Sequence, residues 1–392
     1  MATILSGLVD TEDVLSNERV VDMSERIGKL QPDTTQFTTM LQKIGSKKAT
    51  REVIDWLEDE YMPRVSGLAA SATSATTSLT VTTGEGAYFR AGDVARITVS
   101  GEAVKVTSVS TDTLTVTRSW GDVAAATAAS GTANLVIVGN VSAQGATSGT
   151  AKVVKRVRGY NYTGIQRNPF SFTRTQTQIN LYTGGEPDYE LAKKAVEHKR
   201  SIEATLFFGA RDFNTGGSEP IGSCGGAQEY ISTNITNAGG ALTPAEMDTF
   251  LEGPFGVGST NKVIFCSPRA GTVLSQMYRG IWQPERGGQQ KYGVKVDAWL
   301  ESTYAGWSVP IFVKREWQDQ AKTAAGDYGT WLFIIDMDSV RLRELQPVIL
   351  RRNIQAPDAD RVTHEYLCEF SLEFQHQKHH GILKNITSYS AT

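Results

Sequence analysis

Between Leu79 and Val138 the chain alternates apolar and polar residues in five short runs: "SLTVTT", "VARITVS", "AVKVTSV", "TLTVTR" and "NLVIVG". Gly84, Gly86, Gly92, Gly101 and Gly131 punctuate them. Period-two patterning around glycine turns predicts antiparallel strands, and strands this short and closely spaced predict a small barrel or sandwich. Within it, "GEAVKVTSVSTDTLTVTRSW" (101–120) reads as a hairpin turning at Ser110-Thr111-Asp112. Small-residue stretches bracket the module, "SGLAASATSATTS" before it and "SAQGATSGTA" (142–151) after it. Such joints are expected where one domain is inserted into a surface loop of another.

A chain of 392 residues exceeds one ordinary core, so two or three domains are expected. A net charge of −3 argues against bulk-charge coating of nucleic acid. No apolar run reaches the length of a membrane span. The opening "MATILSGLVDTEDVLSNE" has no basic n-region, so a secretory signal is not expected. Cys224, Cys266 and Cys368 are odd in number and far apart, which predicts buried free thiols in a reducing compartment.

Outside the β module the pattern changes repeatedly. Residues 1–50 carry scattered apolar positions without a strong period and predict an arm that lies on something else. "REVIDWLEDEYM" (51–62) reads as an acidic strand, and 152–182 reads as extended chain with six cations and no acid. "PDYELAKKAVEHKRSIEATLFFGARD" (187–212) predicts a long helix with a thin apolar stripe, ended by Gly209. A glycine-rich loop is expected over 213–240. "TPAE" (243–246) is a capping box, and Ser267 before Pro268 is a second N-cap. With "KVIFC", "GVKVDAWL", "VPIFVKREW", "WLFIID" and "VRLREL" as strands, 241–345 reads as an α/β unit. In "EYLCEFSLEF" the alternation predicts a strand with one solvated face carrying Glu365, Glu369, Ser371 and Glu373.

The chain lacks the usual catalytic signatures. "GPFGVGSTNK" (253–262) lacks the spacing of a phosphate-binding loop, and no GxSxG or HExxH occurs. His198 reads as solvated. His376, His379 and His380 in "HQKHH" follow a strand and lack a fourth ligand, so they read as a polar strand end and no metal is expected. No catalytic or cofactor-binding residue is expected, and no cofactor. Nucleic-acid contact by the tyrosines and arginines of 152–174 is the lesser reading beside a partner-facing strand. The residues singled out for inter-subunit contact are Asp55, Glu58, Asp59 and Glu60 on the outgoing arm, and Lys152, Lys155, Arg156 and Arg158 on the returning arm. Opposite charges across strands favour pairing of the arms with each other or with an adjacent subunit.

The order of parts resembles the major capsid proteins of tailed bacteriophages with the Hong Kong 97 fold. "IDWLEDEYMP", "YNYTGIQRNPFSFTRT", "ELAKKAVEHKRSIEATLFFGARD", "NKVIFCSPRAGTVLSQM" and "VRLRELQPVILRRNI…HEYLCEFSLEFQHQKHHGI" carry the resemblance, in that order. It implies an α+β fold with an N-terminal arm (1–50), E-loop arms (51–66 and 141–182), a P-domain spine helix and loop (183–240), an A-domain (241–345) and closing P-domain strands (346–392). The module at 67–140 is then a small all-β domain inserted in the E-loop.

The resemblance implies a non-enzymatic protein of the virion capsid, assembled in the host cytoplasm into hexamers and pentamers of an icosahedral shell around double-stranded DNA. A portal is implied, and a decoration protein is a candidate partner; no membrane is. Only about fifty residues precede the E-loop, which implies a separate scaffold protein rather than a cleaved scaffolding domain. The alternatives are a cellular encapsulating shell and a glycan-binding surface protein or enzyme.

Overall fold

The computed structural model describes residues 35–147, 149–179, 186–277, 290–291, 294–295, 309–319 and 327–391. The chain forms two compact units, one from residues 1–56 with 159–392 and one from residues 57–158.

In the first unit, the helix Glu186–Phe208 packs Ile202, Leu206 and Phe207 into a core shared with Phe265, Phe333, Phe370 and Phe374. It stops where expected. The Gly209 N–H still bonds to Thr205, but a Cβ on Gly209 would stand 2.3 Å from the Cys224 carbonyl oxygen. Only glycine permits that approach.

Two larger sheets pack in this unit. In the four-stranded sheet the order is Lys47–Lys48, Val340–Arg351, Arg361–Phe374, Gly164–Thr173, with the first pair parallel and the others antiparallel. The five-stranded sheet runs Ile235–Leu242, Gly381–Tyr389, Leu332–Asp336, Lys262–Cys266, Ile311–Val313. Its central strands are buried on both faces. Val263, Phe265, Phe333 and Ile335 enter the core under the long helix, whereas Ile264, Cys266, Leu332 and Ile334 enter a second core with Phe250, Leu251 and Leu274. Two-sided burial explains why "KVIFC" and "LFIID" are apolar throughout. The expected caps are present: Thr243 and Glu246 bond reciprocally at 3.2 and 3.0 Å, and the Ser267 hydroxyl accepts from the Ala270 N–H at 3.1 Å.

Several expectations change. The segment 36–50 does not lie away from its own subunit: Gln36–Gly45 is a helix whose Phe37, Met40 and Leu41 are buried in the first core. Residues 1–34 fall outside the described residues. The strand Arg361–Phe374 has no fully solvated face: Glu365, Ser371 and Glu373 are buried, Glu373 against Arg343 of the neighbouring strand. The 345/346 boundary falls inside the strand Val340–Arg351, and Gly381–Tyr389 pairs in the five-stranded sheet with the preceding block. Arg174–Gln178 is helical rather than extended, and the loop after Gly209 contains the paired strands Asp212–Asn214 and Ile221–Ser223. Of "GVKVDAWL", only Val294–Lys295 is described as strand.

In the second unit, six antiparallel strands run in the order Val65–Gly67, Asn134–Asn140, Asp93–Ile97, Ala103–Ser110, Thr113–Thr117, Ser78–Thr80. A bridge between Leu68 and Val81 joins the two end strands, so the sheet closes on itself and leaves no free edge there. Leu79, Phe89, Ile97, Val104, Leu114 and Leu135 fill its interior. The hairpin turns at Thr111 with φ 51°, and the Asp112 carboxylate accepts from the Gly84 and Gly86 N–H groups. A buried Arg118–Glu102 pair at 2.7 Å ties the loops at Thr73, Thr76 and Ala126 to the barrel.

Candidate functional site

The histidine cluster does not converge on a common point. The His380 Nδ1 accepts from the Asp336 N–H at 3.1 Å, and its Nε2 lies 3.1 Å from the Gln375 carbonyl. Burial pushes its pKa down to about 3. Ser339 Oγ and Asp336 Oδ2 both approach the same nitrogen of His379, at 2.8 and 3.9 Å. A proton relay needs hydroxyl and carboxylate on opposite ring nitrogens. Among the described residues, no group of three or more His, Cys, Asp or Glu could hold a metal ion.

Asp336 instead organises a buried structural network. It accepts from the Ser259 N–H and hydroxyl at 2.8 and 2.6 Å and from Lys262 at 3.1 Å, and neither member of the ion pair is exposed. Burial alone would raise its pKa, but the Ser259 hydroxyl and the Lys262 charge hold it below the usual carboxylate range. His198, expected in solvent, is buried under Tyr366 with its ring centroid 6.0 Å away, and burial lowers its pKa. The thiols of Cys224, Cys266 and Cys368 are free and buried, pushed up to about 11, 12 and 12, which makes them poor nucleophiles.

The charged arms lie on the strands Val53–Glu58 and Val157–Tyr162, which pair in a two-stranded sheet, and on the residues that follow and precede them. A Cβ on Gly159 would stand 2.2 Å from the Trp56 indole nitrogen, so glycine lets the tryptophan lie flat on the ladder. Among the candidate residues, Asp59 and Arg156 meet at 3.3 Å, with 57% and 68% of their side chains exposed. An exposed pair like this contributes about 0–1 kcal/mol. Lys152 does not bond an acid. It donates to the Ala87 and Phe89 carbonyls, and burial, reinforced by Arg90, lowers its pKa against the pull of Asp93. Asp55, Glu60, Lys155 and Arg158 are exposed and Glu58 is half-buried.

Two buried charged side chains escaped the sequence reading. Glu203 of the long helix accepts from the Phe37 and Thr38 N–H groups at 3.1 Å each, capping the helix Gln36–Gly45, and Lys314 pairs with it in the core. The available signal was a carboxylate between Ile202 and Leu206, on the apolar stripe rather than the charged face.

The model of the SU10 major capsid protein family matches residues 8–387. A structure of Mycobacterium phage Bobi is 7% identical, covering 98% of this chain and 99% of that one, with a TM-score of 0.50. The capsid of an empty GTA particle is 11% identical over 96% and 98%, with a TM-score of 0.49. An encapsulin complex of Synechococcus elongatus is 13% identical over 61% and 80%, with a TM-score of 0.43. No curated protein sequence matches the chain. The end-to-end likeness to the Mycobacterium phage structure shows a shared fold, and the expected Hong Kong 97-type class stands with it. With nearly its whole length matched, the chain belongs to the SU10 major capsid protein family.

Proposed function

We propose that this phage major capsid protein assembles into hexamers and pentamers of an icosahedral shell that encloses double-stranded DNA. The family match from residue 8 to residue 387 carries the reading, because it takes in both units. A separate scaffold protein and a portal belong to the same proposal, as does assembly in the host cytoplasm. No described helix is long and apolar enough to cross a membrane. Within the reading, 51–66 and 141–182 are the E-loop arms, 67–140 is the inserted barrel, the long helix is the spine of the P-domain, and 241–345 is the A-domain.

The eight charged arm residues are proposed as contacts between the arms or between neighbouring subunits. Each contact is small, but a shell repeats it in every subunit. Electron microscopy of the purified protein tests the proposal. Shells or capsomers are expected, with fewer after Lys155→Glu and Arg156→Glu and partial recovery on adding Glu58→Lys and Asp59→Lys. Only unassembled protein would reject the shell; assembly indifferent to both changes would reject the charged contacts.

A further inference from the structure

Two adjoining clefts of about 460 and 650 Å³ lie in the second unit and share Tyr61, Met62, Pro63, Tyr88 and Lys152. Their sizes suit a small ligand of a few rings. Tyr88 is half-buried and packs against the interior of the barrel, which fixes its ring. Tyr61 is 100% exposed. Two tyrosines on the wall of a cleft offer flat apolar faces with polar tips.

The charge on the walls is mostly positive. In the smaller cleft Arg64, Arg90 and Lys152 stand against one acid, Asp93. That acid is buried and already engaged: it accepts from the Arg90 N–H and the Asn140 amide at 2.8 Å each, and from Arg90 Nε at 3.2 Å. Two of the cations are held by neutral groups. Arg64 donates to the Ile137 and Val138 carbonyls at 3.2 and 2.9 Å, and Lys152 to the Ala87 and Phe89 carbonyls. Arg90 bonds Asp93 only through Nε among its guanidinium nitrogens, its terminal amino groups have no partner among the described residues, and 42% of its side chain is exposed. The cleft therefore carries a surplus of positive charge and one guanidinium edge with donors to spare. A carboxylate matches that edge. The slightly positive C–H face of a sugar ring matches the negative face of a tyrosine. Single-stranded nucleic acid carries a phosphate on every unit and needs a row of cations along its path. One available guanidinium edge fits a chain with an acid on only some of its rings.

We infer that these clefts bind an acidic oligosaccharide, with a sugar ring against Tyr61 and Tyr88 and a carboxylate on Arg90. The inference concerns the second unit alone and goes beyond the shell reading, with which it neither stands nor falls. Calorimetric titration of the full-length protein tests it, with tetrasaccharides that carry glucuronate, galacturonate or sialate as probes. Binding of at least one is expected, and the neutral chitotetraose should bind at least about tenfold more weakly, as loss of one charge-assisted contact would give. Tyr61→Ala removes a fully exposed ring, so it should leave the fold intact while weakening the binding about tenfold. Arg90→Gln should weaken it as much. Trp120→Ala, which removes an exposed ring outside the clefts, should leave it unchanged. No binding of any of the three acidic probes overturns the inference, as does binding that Tyr61→Ala leaves intact. Equally tight binding of a thymidine tetranucleotide or of tetraglutamate would show attraction of anions in general and would overturn the assignment to a sugar.

Discussion

His380 has both ring nitrogens engaged, one accepting from the Asp336 N–H and the other against the Gln375 carbonyl, and neither bond leaves room for a second proton on Nδ1. Its surroundings do not favour charge. Burial is the dominant influence, Lys262 and His379 add to it, and Asp336 and the Gln375 carbonyl oppose it only in part. The folded pKa of about 3 lies below the ordinary value of 6.5. The unfolded chain therefore binds the proton first as pH falls. The stability from this site is complete above pH ~6.5 and drains towards pH ~3, by at most about 1.4 kcal/mol per unit. Burial lowers the pKa of His198 too, in the same direction. Urea midpoints between pH 7 and pH 4 should fall steeply for the wild type. They should fall less steeply for His380→Gln, even if that variant starts lower. Parallel curves would mean that other groups carry the acid sensitivity. None of this was legible in "HQKHH", where the adjacent imidazoles suggest shared exposure. His380 is buried by strands that join it from more than forty residues away, and a local pattern has no access to that.

At the scale of elements, the helix Gln36–Gly45 was legible in principle, since Phe37, Met40, Leu41 and Ile44 recur at helical spacing. What concealed it is that its N-terminus has no local cap: Thr35 makes no side-chain capping bond, and Glu203 supplies the acceptor from another helix. The strand Arg361–Phe374 shows the converse. Its alternation is real, but its carboxylates meet partners that sequence cannot pair, the buried Glu373 with Arg343 at 2.6 Å and the half-buried Glu369 with the Thr163 hydroxyl at 2.7 Å. The arm therefore has two parts of different consequence. Deleting residues 2–33 should leave a soluble, folded first unit. Deleting 2–45 removes the buried apolar side chains of Phe37, Met40 and Leu41, each worth about 2–5 kcal/mol, and leaves Glu203 without the helix it caps. That truncation should be insoluble or open to proteolysis. Equal solubility and protease resistance of the two truncations would show that the helix is an accessory. Glu203→Ala offers a finer measure, with a loss of about 3–5 kcal/mol expected because it breaks a buried ion pair and removes the cap of Gln36–Gly45.

For the whole molecule, the sequence announced the β module more clearly than the body that carries it. All five of its strand patterns became strands, because hairpin neighbours are local and each strand alternates towards one interior. The missed sixth strand, Val65–Gly67, straddles the expected boundary between the E-loop arm and the inserted domain, and its partner Asn134–Asn140 lies at the far end of the module. The long-range parallel pairing of Ile235–Leu242 with Gly381–Tyr389 had no local signature at all. The consequence for excision is concrete. A cut at 68–149 would remove most of the barrel but leave Val65–Gly67 behind without its partner, so the natural segment is 64–141, which retains the Arg64 bonds to the Ile137 and Val138 carbonyls. The barrel's interior residues form a core separate from the two cores of the other unit. Folding should then be separable. The isolated segment 64–141 should unfold cooperatively with the circular dichroism of a β protein, and full-length protein should show two thermal transitions. The chain with 64–141 replaced by a Gly/Ser linker should lose one transition and still form capsomers by electron microscopy. An unfolded isolated segment together with an insoluble remainder would show that the two units depend on each other for stability.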